Sequence, residues 1–262
     1  MIENTSSNNL SKDDLNYTLG LLLFFVALGS IILITESNRT LFLHLNQVSN
    51  LTGEMIWQWI TVLGDGFLTA IILLLFINRR PKIAWSFVLS TVIYMIILHS
   101  LKDGLGVKRP PGVLPHDSFN IIGPKHSSGS FPSGHTTTIF TLLYVIVLDY
   151  KNKTARILLP LLALLIGFGR IAVGVHWPLD ICGGALLGII SAYLGYWLAG
   201  VTEWGYSQTG KIIFYLLLVP GCIYMLLFYS TGYSGAFYFT RAVGSFCLIY
   251  WLVDFLRYRN IL

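Results

Sequence analysis

The sequence predicts an all-α protein, a polytopic bundle of membrane helices, and three observations support this fold class. Of the 262 residues, 55% are hydrophobic and only 11% are charged. Soluble domains carry about 25% charged residues, so these charges are too few to cover a soluble surface. The mean hydropathy is +0.69. The apolar residues also form eight separate runs, most of them near the length of about 20 residues that a helical span needs.

The candidate spans follow one another along the chain, with one short helix on the membrane surface between the first two. Apolar residues recur at helical spacing within 40–52, which predicts that surface helix. The fourth run is the shortest, but Ser133 and Gly134 before it can start its helix early. We expect a single membrane domain over residues 1–262, with spans near 17–36, 55–78, 83–101, 135–149, 156–174, 180–200, 212–230 and 238–256.

Lys and Arg residues in the connections predict how the chain is oriented, because cytoplasmic connections carry an excess of them. Ten of the 17 fall on one side of the predicted bundle and seven on the other, and three of those seven belong to the motifs described below. We therefore expect both termini in the cytoplasm and the motifs on the periplasmic, extracytoplasmic face. The compact chain favours a multi-pass protein of the bacterial inner (plasma) membrane.

The composition argues against several function classes. The net charge of +5 is modest and the basic residues are scattered between apolar runs, which gives nucleic-acid binding little support. Cys182, Cys222 and Cys247 lie in or beside apolar segments without CxxC spacing, so we interpret them as packing residues rather than metal ligands. We expect membrane lipids as partners and no nucleic acid, and no obligate protein partner is evident.

The first of three short motifs places two cations at the end of the third span. Lys102 ends that apolar run, where a charge is costly without a partner or a function, and Arg109 follows it in front of Pro110. A flexible ammonium and a planar guanidinium together suit an anion with several oxygens. The alternative is that both side chains extend to lipid headgroups.

The fourth span begins with a second motif, Pro132-Ser133-Gly134-His135. Ser133 is a suitable N-cap, and Gly134 exposes its amide without a side chain in the way. Free N–H groups at a helix N-terminus form an anion site, and the ring of His135 is expected at its edge. An ordinary cap followed by an interfacial histidine is the alternative.

A third motif lies between the fifth and sixth spans. Arg170 ends the fifth span, and His176 precedes Pro178, which suits the first turn of the sixth. Asp180, four residues after His176, can accept its Nδ1–H, which would fix the tautomer and leave Nε2 as nucleophile or base. The alternative is a structural contact between the histidine and the carboxylate.

Three other polar residues are open to more than one interpretation. Asp65 is an acid within an apolar run, so it is either a partner of a site cation or an interfacial helix cap. His116 and His126 lie in the long connection between the third and fourth spans, where a histidine is usually solvated but can contact a substrate. That connection, residues 103–131, is long enough to cover a site.

The three motifs supply the groups that a phosphate ester needs: positive charge for its non-bridging oxygens, an acid and a nucleophile. In their order and spacing they resemble the signature of the type 2 phosphatidic acid phosphatase superfamily, K-x6-R-P, P-S-G-H and S-R-x5-H-x3-D. The resemblance covers residues 102–180. One position departs from it, because Gly169 stands where the signature has Ser, which removes a hydroxyl contact to phosphate but leaves an amide.

The resemblance implies a six-helix phosphatase core over residues 15–200, with the last two spans, 211–257, as an addition. It also implies that no cofactor or metal is needed and that the mechanism has two steps. His176 would attack phosphorus to form a phosphohistidine, which Asp180 orients. His135 would protonate the departing oxygen and then activate water. The phosphate would be held by Lys102, Arg109, Ser133, Gly134 and Arg170.

The activity that the resemblance implies is a metal-independent hydrolase acting on lipid phosphates. The expected substrate is a polyprenyl diphosphate, undecaprenyl diphosphate first, or a glycerophospholipid phosphate such as phosphatidylglycerol phosphate, in the extracytoplasmic leaflet. A lipid A phosphatase, or a phosphotransferase between lipids that uses the same site, is the alternative. A membrane protein that binds an anion without reacting is a third possibility, but His135, His176 and Asp180 are more than binding alone requires.

Overall fold

The protein is a bundle of helices in the computed structural model, which describes residues 10–259. All regular secondary structure in this range is helical, which confirms the predicted fold class. The predicted ends of the domain, residues 1 and 262, lie outside the range. The helices are α1 (Lys12–Ile34), α2 (Asn38–Asn46), α3 (Val48–Thr52), α4 (Glu54–Val62), α5 (Gly66–Ile72), α6 (Pro81–Leu105), α7 (Gly134–Tyr150), α8 (Lys153–Ala172), α9 (Pro178–Thr202), α10 (Gln208–Leu227) and α11 (Phe237–Arg259).

Helical segments lie at each of the eight places where the sequence predicts a span. Within the described residues, six helices are long and apolar enough to cross a membrane: α1, α6, α8, α9, α10 and α11. The pair of α4 and α5 makes a seventh if it counts as one bent span. α7 has 17 residues, which is the lower limit for a span. The short segment expected before the second span is present as α2 and α3.

The second predicted span is wrong as a single helix, because the chain bends by 62° between α4 and α5. The first helix ends at Val62. Asp65 caps the next helix, since its side chain accepts hydrogen bonds from the amides of Phe67 and Leu68, both at 3.0 Å. Gly64 lets the bend approach α7, because a Cβ there would lie 3.0 Å from the carbonyl oxygen of His135. Asp65 is therefore a helix cap, as one of its two interpretations proposed.

α9 lies at the centre of the bundle, where it packs against α1, α6 and α7. Two glycines permit its close contact with α7. A Cβ at Gly184 would lie 2.8 Å from the carbonyl oxygen of Ser133, and one at Gly188 would lie 2.7 Å from that of Thr137. Small residues at helix contacts are typical of membrane bundles because they let the backbones approach. This packing fixes the start of α7 against the first turns of α9, where two of the motifs lie.

The last two helices form a pair at one side of the bundle. α10 and α11 pack against each other and mainly against α5 and the turn that follows it. Their loop, residues 228–236, returns to the end of the bundle at which α6 ends and α7 begins, which we call the connection end. There Trp59 of α4 donates a hydrogen bond to the carbonyl oxygen of Gly235 at 2.8 Å, and its ring stacks on Phe239.

Ion pairs hold the helices together at the opposite end of the bundle. Arg156 at the start of α8 lies 2.6 Å from Asp14 at the start of α1. Arg79, which follows α5, lies 2.6 Å from Asp254 of α11. The C-terminal helix pair is therefore attached to the core at both of its ends, by Trp59 at one and by Arg79 at the other.

Candidate active site

The three motifs meet at the connection end, where the ends of α6 and α8 lie beside the starts of α7 and α9. The amide of Ser133 donates to the carbonyl oxygen of Asp180 at 3.1 Å. Nη1 of Arg109 lies 3.5 Å from the carbonyl oxygen of Val175. Both motif histidines interact electrostatically with all three motif cations. The residues brought to this end are Lys102, Arg109, Ser133, Gly134, His135, Arg170, His176 and Asp180.

The centre of the site is a buried pair of His176 and Asp180, each 1% exposed. Nδ1 of His176 lies 3.0 Å from Oδ2 of Asp180. Because an ionised carboxylate only accepts hydrogen bonds, Nδ1 carries the proton and Nε2 keeps its lone pair. The same carboxylate oxygen accepts from the amide of Trp177 at 2.8 Å and from the hydroxyl of Ser130 at 2.5 Å. These donors fix the carboxylate and, through it, the imidazole ring.

The ring of His176 is neutral at neutral pH. Burial, followed by the positive charges of Arg109 and Arg170, holds the pKa of His176 well below its usual range. A neutral imidazole whose tautomer is fixed presents the lone pair of Nε2, which is what a nucleophile requires. Burial and the surrounding cations therefore keep the ring of His176 neutral, with the lone pair of Nε2 available.

Carbonyl oxygens of the long connection hold the first two cations. Nζ of Lys102 donates to the carbonyl oxygen of Gly129 at 2.8 Å, and Nη2 of Arg109 donates to the same oxygen at 3.3 Å. Nε of Arg109 donates to the carbonyl oxygen of Ser128 at 2.9 Å. Neutral carbonyls orient these side chains without cancelling their charge, so both remain attractive to an anion. Both cations thus lie at the site rather than extending to lipid headgroups.

Two hydroxyl groups hold the guanidinium of Arg170, which is only 3% exposed. Nη1 donates to Oγ1 of Thr61 at 2.8 Å and to the phenol oxygen of Tyr233 at 2.9 Å. Nε is buried and has no hydrogen-bond partner among residues 10–259. A buried N–H without an acceptor is costly, so an oxyanion that reached this atom would bind favourably.

The start of α7 brings backbone amides and His135 to the site. Oγ of Ser133 accepts from the amide of Thr136 at 3.4 Å and from its hydroxyl at 2.9 Å, so it caps the helix as predicted. Gly134 and His135 occupy the first two helical positions, whose N–H groups have no partner within the helix. His135 also lines a mainly apolar cavity of about 420 Å³ between α5, α6 and α7. An apolar chain attached to a bound anion would fit there.

Three residues at the site were not predicted from the sequence. Ser130 lies in the same loop as Ser133, and this closeness to a motif is the only signal that marks it. Thr61 lies in α4 and Tyr233 in the loop between α10 and α11. Both are far from the motifs along the chain, so no local pattern distinguishes them from other hydroxyl residues near span ends.

The two histidines of the long connection differ in their surroundings. Burial, followed by the positive charges of Arg109 and Arg170, lowers the pKa of His126. His126 also interacts electrostatically with His135. Both side chains are exposed, and Nε2 of His116 lies 3.2 Å from the carbonyl oxygen of Pro111. His126 is therefore the connection histidine that an anion entering the site would approach.

The charges of the site suit an anion. Lys102 and Arg109 interact electrostatically with the carboxylate of Asp180, and Arg170 interacts with both of these cations. Within the described part of the chain, no group of three or more His, Cys, Asp and Glu side chains is placed to hold a metal ion. A neutral histidine bonded to a carboxylate, a second histidine and three cations are groups of the kind that phosphoryl transfer uses.

This helical bundle, with a cluster of cations and histidines at one end, belongs to the class of membrane-embedded phosphatases. The family model of the PAP2 superfamily matches residues 83–204. A relative from Sulfolobus acidocaldarius, named undecaprenyl-diphosphatase, is 31% identical over 160 residues, which are 58% of this chain and 72% of that relative. The chain belongs to the PAP2 superfamily, a family of membrane phosphatases that act on lipid phosphates, and the resemblance of the three motifs is confirmed.

Two solved structures share the fold. The crystal structure of Aquifex aeolicus LpxE has a TM-score of 0.54 at 33% identity, and it covers 60% of this chain and 93% of that one. The structure of a transmembrane PAP2-type phosphatidylglycerolphosphate phosphatase from Bacillus subtilis has a TM-score of 0.53 at 23% identity, covering 71% and 97%. The family match ends at residue 204, so α10 and α11 lie outside it.

Proposed function

We propose that the protein hydrolyses the phosphate of a polyprenyl diphosphate or a glycerophospholipid phosphate, in the extracytoplasmic leaflet, through a phosphohistidine. The observation that carries this proposal is the neutral, oriented ring of His176, which is hydrogen-bonded to Asp180 beside three cations at the ends of membrane helices. A relative named undecaprenyl-diphosphatase makes a polyprenyl diphosphate the first choice.

In the first step the lone pair of His176 Nε2 attacks phosphorus and forms a P–N bond. The P–O bond to the lipid breaks, and its electron pair goes to the departing oxygen. His135, which takes up a proton when the negatively charged phosphate lies beside it, gives that proton to the departing oxygen. The ring of His176 becomes positively charged, and the carboxylate 3.0 Å away stabilises this charge. Lys102, Arg109 and Arg170 would hold the non-bridging oxygens, together with the amides at the start of α7.

In the second step water attacks the phosphohistidine. His135, now neutral, takes a proton from the water as its oxygen bonds to phosphorus. The P–N bond breaks and its electron pair returns to Nε2, so that His176 is neutral again and inorganic phosphate leaves. No group outside the chain other than water is consumed, and each residue ends in the state in which it began.

The membrane position of the site suits a substrate with an apolar tail. The cavity beside His135 is lined mainly by apolar side chains of α5, α6 and α7, including Phe67 and Leu98. A lipid chain could stay among these helices while its phosphate enters the cation cluster. This arrangement supports a lipid phosphate over a small soluble phosphate ester.

The test is phosphate release by the purified protein in detergent with EDTA present. Undecaprenyl diphosphate, phosphatidylglycerol phosphate, phosphatidic acid and lipid A would be offered separately, with His176→Ala as the matched control. We expect release that survives EDTA and is lost in the variant. Release from none of these lipids, or equal release by the variant, would contradict the proposal. Labelled phosphate that moves into a second lipid instead of water would identify a phosphotransferase.

The proposed orientation has its own test, because exposed positions at the two ends of the bundle can be labelled separately. The native cysteines are buried, so Ser127→Cys in the connection and Lys153→Cys at the start of α8 would dominate labelling. We expect a membrane-impermeant maleimide, added to intact cells, to label the first variant and not the second. The reverse pattern would place the site at the cytoplasmic face.

A further inference from the structure

The C-terminal helix pair reaches the candidate active site although it lies outside the family match. Tyr233, in the loop between α10 and α11, accepts a hydrogen bond from Nη1 of Arg170 at 2.9 Å. The phenol is 6% exposed and also interacts electrostatically with Arg109. A side chain from the added helices therefore contacts one of the three cations directly.

Two glycines shape the loops so that Tyr233 can occupy this place. Gly123 of the long connection has φ +78°, and a Cβ there would lie 2.5 Å from Cε1 of Tyr233. Gly232 has φ +79°, and its Cβ would lie 2.4 Å from Cγ of Pro124. Neither position tolerates a side chain without movement, and both use a backbone conformation that favours glycine. The two loops thus fit together around the phenol ring.

A third attachment joins the same loop to α4, the helix that supplies the other partner of Arg170. The amide of Gly235 donates to Oε1 of Gln58 at 2.8 Å, and Trp59 donates to the carbonyl oxygen of Gly235, also at 2.8 Å. Thr61 follows on the same helix. The two hydroxyl groups that hold Arg170 are therefore held relative to each other as well.

The chemistry of these partners suits a group that must bind phosphate. Thr61 and Tyr233 are neutral, so they fix the direction of the guanidinium and leave its charge in place, whereas a carboxylate would neutralise it. Both bond to Nη1, and the buried Nε has no partner among the described residues. We propose that Tyr233 is a positioning residue, which aims the remaining N–H groups of Arg170 at the phosphoryl group. The C-terminal pair is then part of the catalytic unit.

This inference rests on the proposed function, and it is tested by removing one hydroxyl. Tyr233→Phe keeps the ring but loses the bond to Arg170, while Tyr229→Phe removes a hydroxyl of the same loop that donates to Asp65 at 2.9 Å. We expect Tyr233→Phe to lower kcat about tenfold with KM changed less than about threefold, because Arg170 keeps its charge but its guanidinium is no longer held in one orientation. Tyr229→Phe should keep kcat within about twofold.

Orthovanadate, a mimic of the five-coordinate phosphorus centre of the transition state, supplies a readout that does not need turnover. Its Kd, measured by titration calorimetry, should rise about tenfold in Tyr233→Phe and stay near the wild-type value in Tyr229→Phe. In an Arg170→Ala background, Tyr233→Phe should add nothing, because its effect passes through that side chain. Gly123→Ala, which displaces the phenol ring rather than removing its hydroxyl, should lower kcat and vanadate affinity in the same way. It tests the role of Tyr233 if Tyr233→Phe does not fold.

Each outcome separates this inference from the proposed function. Lipid hydrolysis by the wild type with unchanged kcat and vanadate affinity in Tyr233→Phe would overturn the role of Tyr233 and leave the function standing. Vanadate binding that depends on Tyr233, without hydrolysis of any lipid, would support the role of Tyr233 and contradict the proposed function. Equal losses in Tyr233→Phe and Tyr229→Phe, or a further loss on top of Arg170→Ala, would show that Tyr233 does not act through Arg170.

Discussion

Replacing Asp180 by Asn tests the centre of the site with the smallest possible change of shape. Oδ2 of Asp180 accepts from His176 Nδ1 at 3.0 Å, from the amide of Trp177 at 2.8 Å and from Ser130. An amide oxygen can occupy the same place and keep these bonds, so the fold should persist. What the variant loses is the negative charge beside a ring that, in the proposed mechanism, becomes positive when phosphorus is attacked.

The size of the effect follows from this separation. With the charges spread over the ring and the carboxylate, their centres lie about 4 Å apart, which corresponds to about 4 kcal/mol at an effective dielectric constant near 20. Since each 1.36 kcal/mol is a factor of ten in rate, kcat should fall about 10³-fold in Asp180→Asn. KM should change little, because the substrate meets the ring before the positive charge develops.

The assay is phosphate release at saturating lipid, pH 7, with melting temperature as a check on folding. Asp117→Asn, at an exposed carboxylate of the connection, is the matched control and should retain wild-type kcat. An Asp180→Asn protein that is folded and retains more than about a tenth of wild-type kcat would refute the reasoning, because its loss would be less than about 1.4 kcal/mol. The carboxylate would then only support the fold.

Two further predictions concern packing and charge. Gly188→Ala should lower the free energy of unfolding by about 1–3 kcal/mol, because its Cβ would lie 2.7 Å from the carbonyl oxygen of Thr137. Gly20→Ala, whose Cβ would have nothing within 4 Å, is the control and should not lower it. Thermal unfolding in detergent compares the two variants, and equal melting temperatures would contradict the close contact. The pKa of His176 is lowered in the folded protein, so the unfolded chain, with a pKa near 6.5, binds the proton first as pH falls. The melting temperature should therefore fall from about pH 7 to pH 5, and fall less in His176→Gln.

The contacts within the motifs could be predicted because their constraints are local. A histidine followed four residues later by a carboxylate at a helix start can form its hydrogen bond within a single turn, as His176 and Asp180 do. Ser133 caps α7 for the same reason, since the cap and the Thr136 amide that donates to it lie three residues apart. Apolar runs likewise located the spans, because burial in lipid is a property of each run by itself.

The bend and the partners of Arg170 could not be predicted, because they depend on contacts between distant segments. The sequence allows Asp65 to be either a helix cap or a partner of a cation, and only the neighbours of α5 decide between them. Thr61 and Tyr233 become significant only when α4 and the last loop are placed beside the end of α8. The apolar pattern contains no information on which hydroxyl groups will meet a given guanidinium.

The excess of positive charge at the site affects how the protein should be handled. An oxyanion that binds the folded protein but not the unfolded chain stabilises the fold by mass action, by about 2.7 kcal/mol at 100 times its Kd. For a chain of this length that is a rise in melting temperature of about 5–10 °C. Phosphate or sulfate buffer would preserve the protein during purification and inhibit it in an assay. A melting curve can therefore serve as a titration of the site before any substrate is known.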